Sequence, residues 1–163
     1  MMRSGLRSAI LTVAACAAAL FYSSAGDAQS APFTGLAGVW SGGGTVTLDD
    51  GSSERIRCRA TYAVGNGGNG LNQSLTCASD SYRFNLSSNV VARGSTLSGT
   101  WTESSRNVSG EIEGSGGNGN FQVTASAPGF HANLTIRTTG NKQSVTIRAE
   151  SQFRGASINL TRS

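Results

Sequence analysis

The sequence contains one histidine, His131, one lysine, Lys142, and three cysteines. Acyl-transfer triads and most zinc sites are built around histidine with placed partners. Neither a Cys/His cluster nor a glycine–serine elbow accompanies His131. The glycine stretches are not phosphate loops, because no Gly-Lys-Ser/Thr follows them and no helix signal begins there. Glu111 and Glu113 face the same way, but they stand beside a glycine-rich turn. They read as exposed side chains, whereas a glycosidase needs one carboxyl whose pKa is raised by burial. The basic residues are spread along the chain without interleaved aromatics, which argues against a nucleic-acid groove. Outside the first residues, no apolar run is long enough to cross a bilayer as a helix. These absences lead to the expectation of a protein that is not an enzyme, with no catalytic residue, no metal and no cofactor.

The amino terminus carries an export pattern. Arg3 and Arg7 precede an apolar stretch over residues 9–22, and small residues follow. Residues 1–28 therefore read as a signal peptide, with cleavage after Ala28 or, as a second candidate, Ala31. A rival reading takes Val13-Ala14-Ala15-Cys16 as a lipoprotein box with Cys16 lipidated. Against it, the apolar run continues past Cys16, where a lipoprotein turns polar. Either way the destination is periplasmic or secreted. Removing 28 of 163 residues leaves 135, enough for one domain and a real core. The expected division is a short extension over residues 29–37 and a single domain over residues 38–163.

Two cysteines then remain, Cys58 and Cys77, placed symmetrically about Gly65-Asn66-Gly67-Gly68-Asn69-Gly70. Folding this segment as a hairpin sets the two sulfurs opposite each other, which predicts a cross-strand disulfide and an oxidising compartment. The same register puts Asp80 opposite Arg55. Apolar and polar residues alternate along most of the chain, as in half-buried strands. Ile56, Cys58, Ala60 and Tyr62 share one face, and Arg55, Arg57, Arg59 and Thr61 the other. Turn signals recur at the spacing of a sandwich or barrel, including 114–120, Pro128-Gly129 and Arg154-Gly155. Short consecutive connections predict an all-β, antiparallel up-and-down barrel of about eight to ten strands. Closure also removes the exposed edges of such a meander.

Gly38-Val39-Trp40 opens the first strand, and Ile158-Asn159-Leu160-Thr161-Arg162 reads as the last. This pairing resembles the signature of the calycins, the lipocalin, fatty-acid-binding and avidin group. There a Gly-x-Trp tryptophan packs under a basic side chain from the last strand and closes one end of the barrel. The resemblance implies that Trp40 and Arg162 form that stacked closure. Two features depart from the group. Only Trp40 and Trp101 are present, whereas avidins line their site with several tryptophans, and no helix signal precedes the last strand. The chain also resembles exported alphaproteobacterial proteins, which supplies no chemistry.

Tyr62, Phe84, Trp101 and Phe121 fall on the inner face of this scheme as candidate ligand-binding residues. Inward glycines such as Gly99 and Gly110 either leave space between them or mark strand bends. Outside, Arg55, Arg57 and Arg59 form a ladder that is either a solvated face or a contact surface. The expected function is binding of a small apolar or amphipathic ligand without catalysis. The alternative is a filled barrel serving as an envelope structural or interaction protein, whose arginine face meets an anionic envelope component. An outer-membrane barrel is disfavoured by the lack of aromatic girdles and of a terminal aromatic.

Overall fold

A computed structural model describes residues 31–151 and 153–163. The expected leader and Cys16 lie outside the described residues. Ten strands follow one another: β1 (Gly38–Leu48), β2 (Ser53–Gly65), β3 (Gly70–Ala78), β4 (Arg83–Arg93) and β5 (Thr96–Glu103), then β6 (Val108–Gly117), β7 (Asn120–Ala127), β8 (Phe130–Thr139), β9 (Lys142–Ala149) and β10 (Phe153–Arg162). Each pairs antiparallel with the next, and β1 pairs antiparallel with β10, so the sheet is a closed up-and-down barrel.

The period-two pattern is what turns this sheet into a barrel with a distinct inside. Along β2, Ile56, Cys58, Ala60 and Tyr62 are buried while Arg55, Arg57, Arg59 and Thr61 are exposed. Val91 is the one exposed large apolar side chain among the described residues. Among the described residues the outer surface is otherwise mostly Ser, Thr, Asn and charged side chains, without the apolar band that a lipid-facing barrel presents.

Turn chemistry sets the connections. Asn118 and Gly119 both take positive φ (51° and 80°) in a two-residue turn, the geometry that matches the twist of a hairpin. The turn is therefore tighter than the 114–120 segment the sequence suggests, and β6 runs on through Gly117. Arg154-Gly155 is not a turn either. Thr47 pairs with Gly155 and Leu48 with Phe153, so Arg154 is the extra residue of a β-bulge inside β10.

Cys58 and Cys77 sit directly opposite each other on β2 and β3 and are joined by a disulfide. The ladder stops at Arg57 and Ala78, because the Ser79 backbone N–H turns back to donate to the Tyr82 carbonyl. Asp80 therefore does not pair with Arg55. Glu54 reaches this turn instead and accepts from the Ser79 hydroxyl (2.6 Å), the Ser81 N–H and the Ser81 hydroxyl.

The inward glycines mark close backbone approach. A methyl group on Gly44 would overlap the carbonyl oxygen of Ser157, and one on Gly99 that of Asn89. These strands bend too sharply toward their neighbours for a Cβ, so the glycines serve curvature and do not create the interior space.

Replacing Cys58 and Cys77 together by serine should lower the unfolding free energy by about 3 kcal/mol, from the entropy of a loop of this length. Denaturant titration of the oxidised protein and the double variant checks this.

Candidate functional site

The two ends of the barrel are built differently. At one end β1 starts and β10 finishes. Trp40 is fully buried there, and the Arg162 guanidinium lies over its ring, 4.9 Å from the centroid. Each nitrogen of the Arg162 guanidinium donates. Nε donates to the Asn141 side chain (3.0 Å), one terminal nitrogen to the carbonyls of Gly35 and Ala37 (3.1 and 3.0 Å), and the other to Gly140 (3.4 Å). Trp40 Nε1 donates to the Leu36 carbonyl at 2.8 Å. Residues 31–37 are thus strapped across this end. Phe33, stacked on Phe121 with ring centroids 5.8 Å apart, and Leu36 form its floor.

The opposite end carries the β1–β2, β3–β4, β5–β6, β7–β8 and β9–β10 turns. Tyr82 and Phe84 reach Phe153 across the rim, with centroids 5.5 and 6.3 Å apart. This cluster covers the β1–β3 side, above the disulfide that pairs next to Phe84. On the other side the rim is bounded by Arg106, Pro128, Phe130 and Ser151.

Between floor and rim lies a cavity of about 360 Å³. That is within the roughly 300–1,000 Å³ range of small-molecule sites. Tyr62, Phe84, Trp101 and Phe121 all line it, at widely separated heights. Phe121 sits at the floor, Phe84 near the rim, and Trp101 against Phe130 at 5.2 Å. The wall between them is aliphatic, including Leu86, Ile112, Leu134 and Ile147. Arg55, Arg57 and Arg59 are exposed on the outer face and have no part in this space, nor do the exposed Glu111 and Glu113.

The few polar groups inside are mostly paired. The Tyr62 hydroxyl donates to Gln143 Oε1 (2.8 Å), and Gln143 Nε2 donates to the Thr138 hydroxyl (2.9 Å). Burial pushes the Tyr62 phenol up to about 12, against the downward pull of its bond to Gln143. Ser88 donates to Gln73 at 3.0 Å. The Trp101 indole N–H is buried against Gly110 with no partner among the described residues.

At the rim Glu103 is buried, and its oxygens take bonds from five donors. Oε1 accepts from the Asn85 and Ser105 N–H groups and the Ser105 hydroxyl, and Oε2 from the Arg106 N–H and guanidinium. Burial alone would raise its pKa, but the bonds from Ser105, Asn85 and Arg106 outweigh it and hold the carboxyl below the usual range. Sequence reasoning passed over Glu103, Arg106 and Tyr82. Strand parity held the signal, since Glu103 follows Trp101 by two and must also point inward. Phe33 and Leu36 belong to no periodic run and gave none.

No protein-family model matches the sequence, and no curated protein matches it. Solved structures do. The S-type phycobiliprotein lyase CPES from Guillardia theta superposes with a TM-score of 0.62 at 10% identity, over 80% of this chain and 90% of that one. Rv2717c from M. tuberculosis superposes with a TM-score of 0.63 at 14% identity, over 80% of this chain and 94% of that one. At such identities the likeness carries the fold, a calycin-like barrel of ten strands. It also corrects one expectation. The sequence reading excluded an enzyme, yet the same barrel architecture serves as a phycobiliprotein lyase, so that exclusion does not stand. A missing triad or metal cluster excludes only the chemistries that need one.

Trp40→Ala should cost about 3–5 kcal/mol in a denaturant melt, because a fully buried aromatic leaves a void that the strapped end fills only in part. Tyr62→Phe should cost about 1–2 kcal/mol at neutral pH by leaving the Gln143 oxygen unpaired. It should also change the alkaline limb. The folded pKa of Tyr62 lies above the unfolded value of about 10. Its contribution is therefore complete below pH 10 and lost as pH rises toward about 12. Melts of Tyr62→Phe between those pH values should fall less steeply than those of the parent protein.

Proposed function

We propose that this protein is exported and takes up a small apolar or amphipathic ligand inside its barrel. The observation that carries this reading is the apolar cavity of about 360 Å³, floored by Phe33, Leu36 and Phe121 and reaching a rim at the β5–β6, β7–β8 and β9–β10 turns. Its aliphatic wall supplies hydrophobic contact, and its aromatics supply large rigid surfaces. Export rests on the leader pattern of residues 1–28 and on the disulfide, which persists in the periplasm or outside the cell. No helix among the described residues is long and apolar enough to cross a membrane.

The arginine ladder supports a second reading. Arg55, Arg57 and Arg59 project outward on one strand, and among the described residues none of them is in an ion pair. Such a row suits contact with an anionic envelope polymer or protein, independently of what the interior holds.

The test is native mass spectrometry of protein exported by its own leader, followed by denaturation. A small molecule released on denaturation is expected. Titration with the uncharged probe N-phenyl-1-naphthylamine should give saturable fluorescence. Ala125→Phe, which fills the cavity wall, should weaken probe binding at least tenfold while the protein stays folded by circular dichroism. No released molecule and no saturable probe signal would overturn the reading.

A further inference from the structure

Two arginines in this barrel stack on aromatic rings, one at each end, and their hydrogen bonding differs. Arg162 over Trp40 has every nitrogen engaged, by Asn141, Gly35, Ala37 and Gly140, and does not line the cavity. Arg106 over Tyr82, 4.4 Å from the ring centroid, lines the cavity at its rim. Only one of its terminal nitrogens is used. That nitrogen donates to the Arg83 carbonyl at 3.0 Å and approaches Glu103 at 3.4 Å. Nε and the second terminal nitrogen have no acceptor among the described residues.

These two nitrogens form one edge of the guanidinium, with two parallel N–H bonds, the fork that fits a carboxylate in bidentate fashion. The arginine is also held in place. Tyr82 lies against its face, while the Arg83 carbonyl and Glu103 anchor the opposite edge. Its side chain is 32% exposed, enough to be reached and little enough to be oriented. Glu103 does not compete for an incoming cation, because both its oxygens are already bonded to the turn. Among the described residues that line the cavity, Arg106 is the only basic one and Glu103 the only acidic one.

We propose that Arg106 is the head-group site of the cavity, and that the ligand is an amphipathic carboxylate with its carboxylate on the free edge of Arg106 and its apolar body directed toward Phe121 and Phe33. This deepens the reading of the barrel as a ligand carrier and rests on it. A neutral head group would leave the fork unused, and a wholly apolar ligand would leave the Nε edge of Arg106 without an acceptor, since Glu103 meets only the other terminal nitrogen.

The test compares dodecanoate, dodecyl phosphate and dodecan-1-ol at pH 8, the two anions below their micelle concentrations and the alcohol below its solubility limit, by isothermal titration calorimetry on the full protein. Dodecanoate should bind at least tenfold more tightly than dodecan-1-ol and more tightly than dodecyl phosphate. Arg106→Gln should remove the preference for the acid while still binding dodecan-1-ol, and circular dichroism should show that the variant is folded. Arg106→Lys, which keeps the charge but not the fork, should retain less than half of the preference in logarithmic terms. Equal affinity for acid and alcohol, or a preference that survives Arg106→Gln, overturns the head-group site and leaves the carrier reading standing. Tighter binding of dodecyl phosphate overturns the carboxylate assignment. Binding of none of the three overturns the head-group site and the carrier reading together.

Discussion

The structure depends on the pairing of β1 with β10. Without that seam the ten strands would be an open meander with two bare edges, and no inside would exist. The seam begins where Trp40 pairs with Arg162 and stacks beneath it. The stack does more than join two strands. Through its hydrogen bonds Arg162 gathers the strap at Gly35 and Ala37 and the β8–β9 turn at Gly140 and Asn141. One side chain thus closes the barrel and lids one end of it.

That asymmetry decides where chemistry can occur. The closed end is packed, with Trp40, Phe33 and Leu36 buried and every nitrogen of the arginine engaged. At the other end the Tyr82, Phe84 and Phe153 cluster covers the disulfide side, and the remaining rim is left to Arg106, Phe130 and the β7–β8 and β9–β10 turns. The disulfide lies under this cluster and ties β2 to β3. The cavity therefore has an aromatic side, a floor and a charged pair, Glu103 and Arg106, at its rim. A barrel of about this strand number is often filled by its own side chains. Here alanines at 125 and 132 and aliphatic side chains stop short of the centre.

Much of the fold was legible because strand parity is a local property. The alternation in β2 announced both the inward disulfide and the outward arginines. The Gly-x-Trp opening and the arginine in the last strand pointed to the calycin-like barrel that the solved structures share. The failures were also local in origin. Glycines at 114–117 read as a turn, but in a sharply coiled strand they serve curvature. Arg154-Gly155 read as a turn, but a bulge absorbs the extra residue without ending the strand. Asp80 was set opposite Arg55 by extending a register that a serine turn cuts off. The exclusion of catalysis failed for another reason, since it was drawn from absent motifs and the same barrel carries a lyase.

By itself the sequence determined the strand alternation, the pairing of Cys58 with Cys77 and, within the regular strands, the side of the sheet each residue faces. Those follow from the two-residue period of an extended chain and from turn residues a few positions apart. Only the tertiary structure decided that the interior keeps a cavity, that residues 31–37 floor it, and that Arg106 is left with a free edge while Arg162 is not. These depend on how far apart opposite walls stand and on which carbonyls lie within reach of a guanidinium. Side chains from β4 and β10, about seventy residues apart, meet across the rim, and no local pattern encodes that distance.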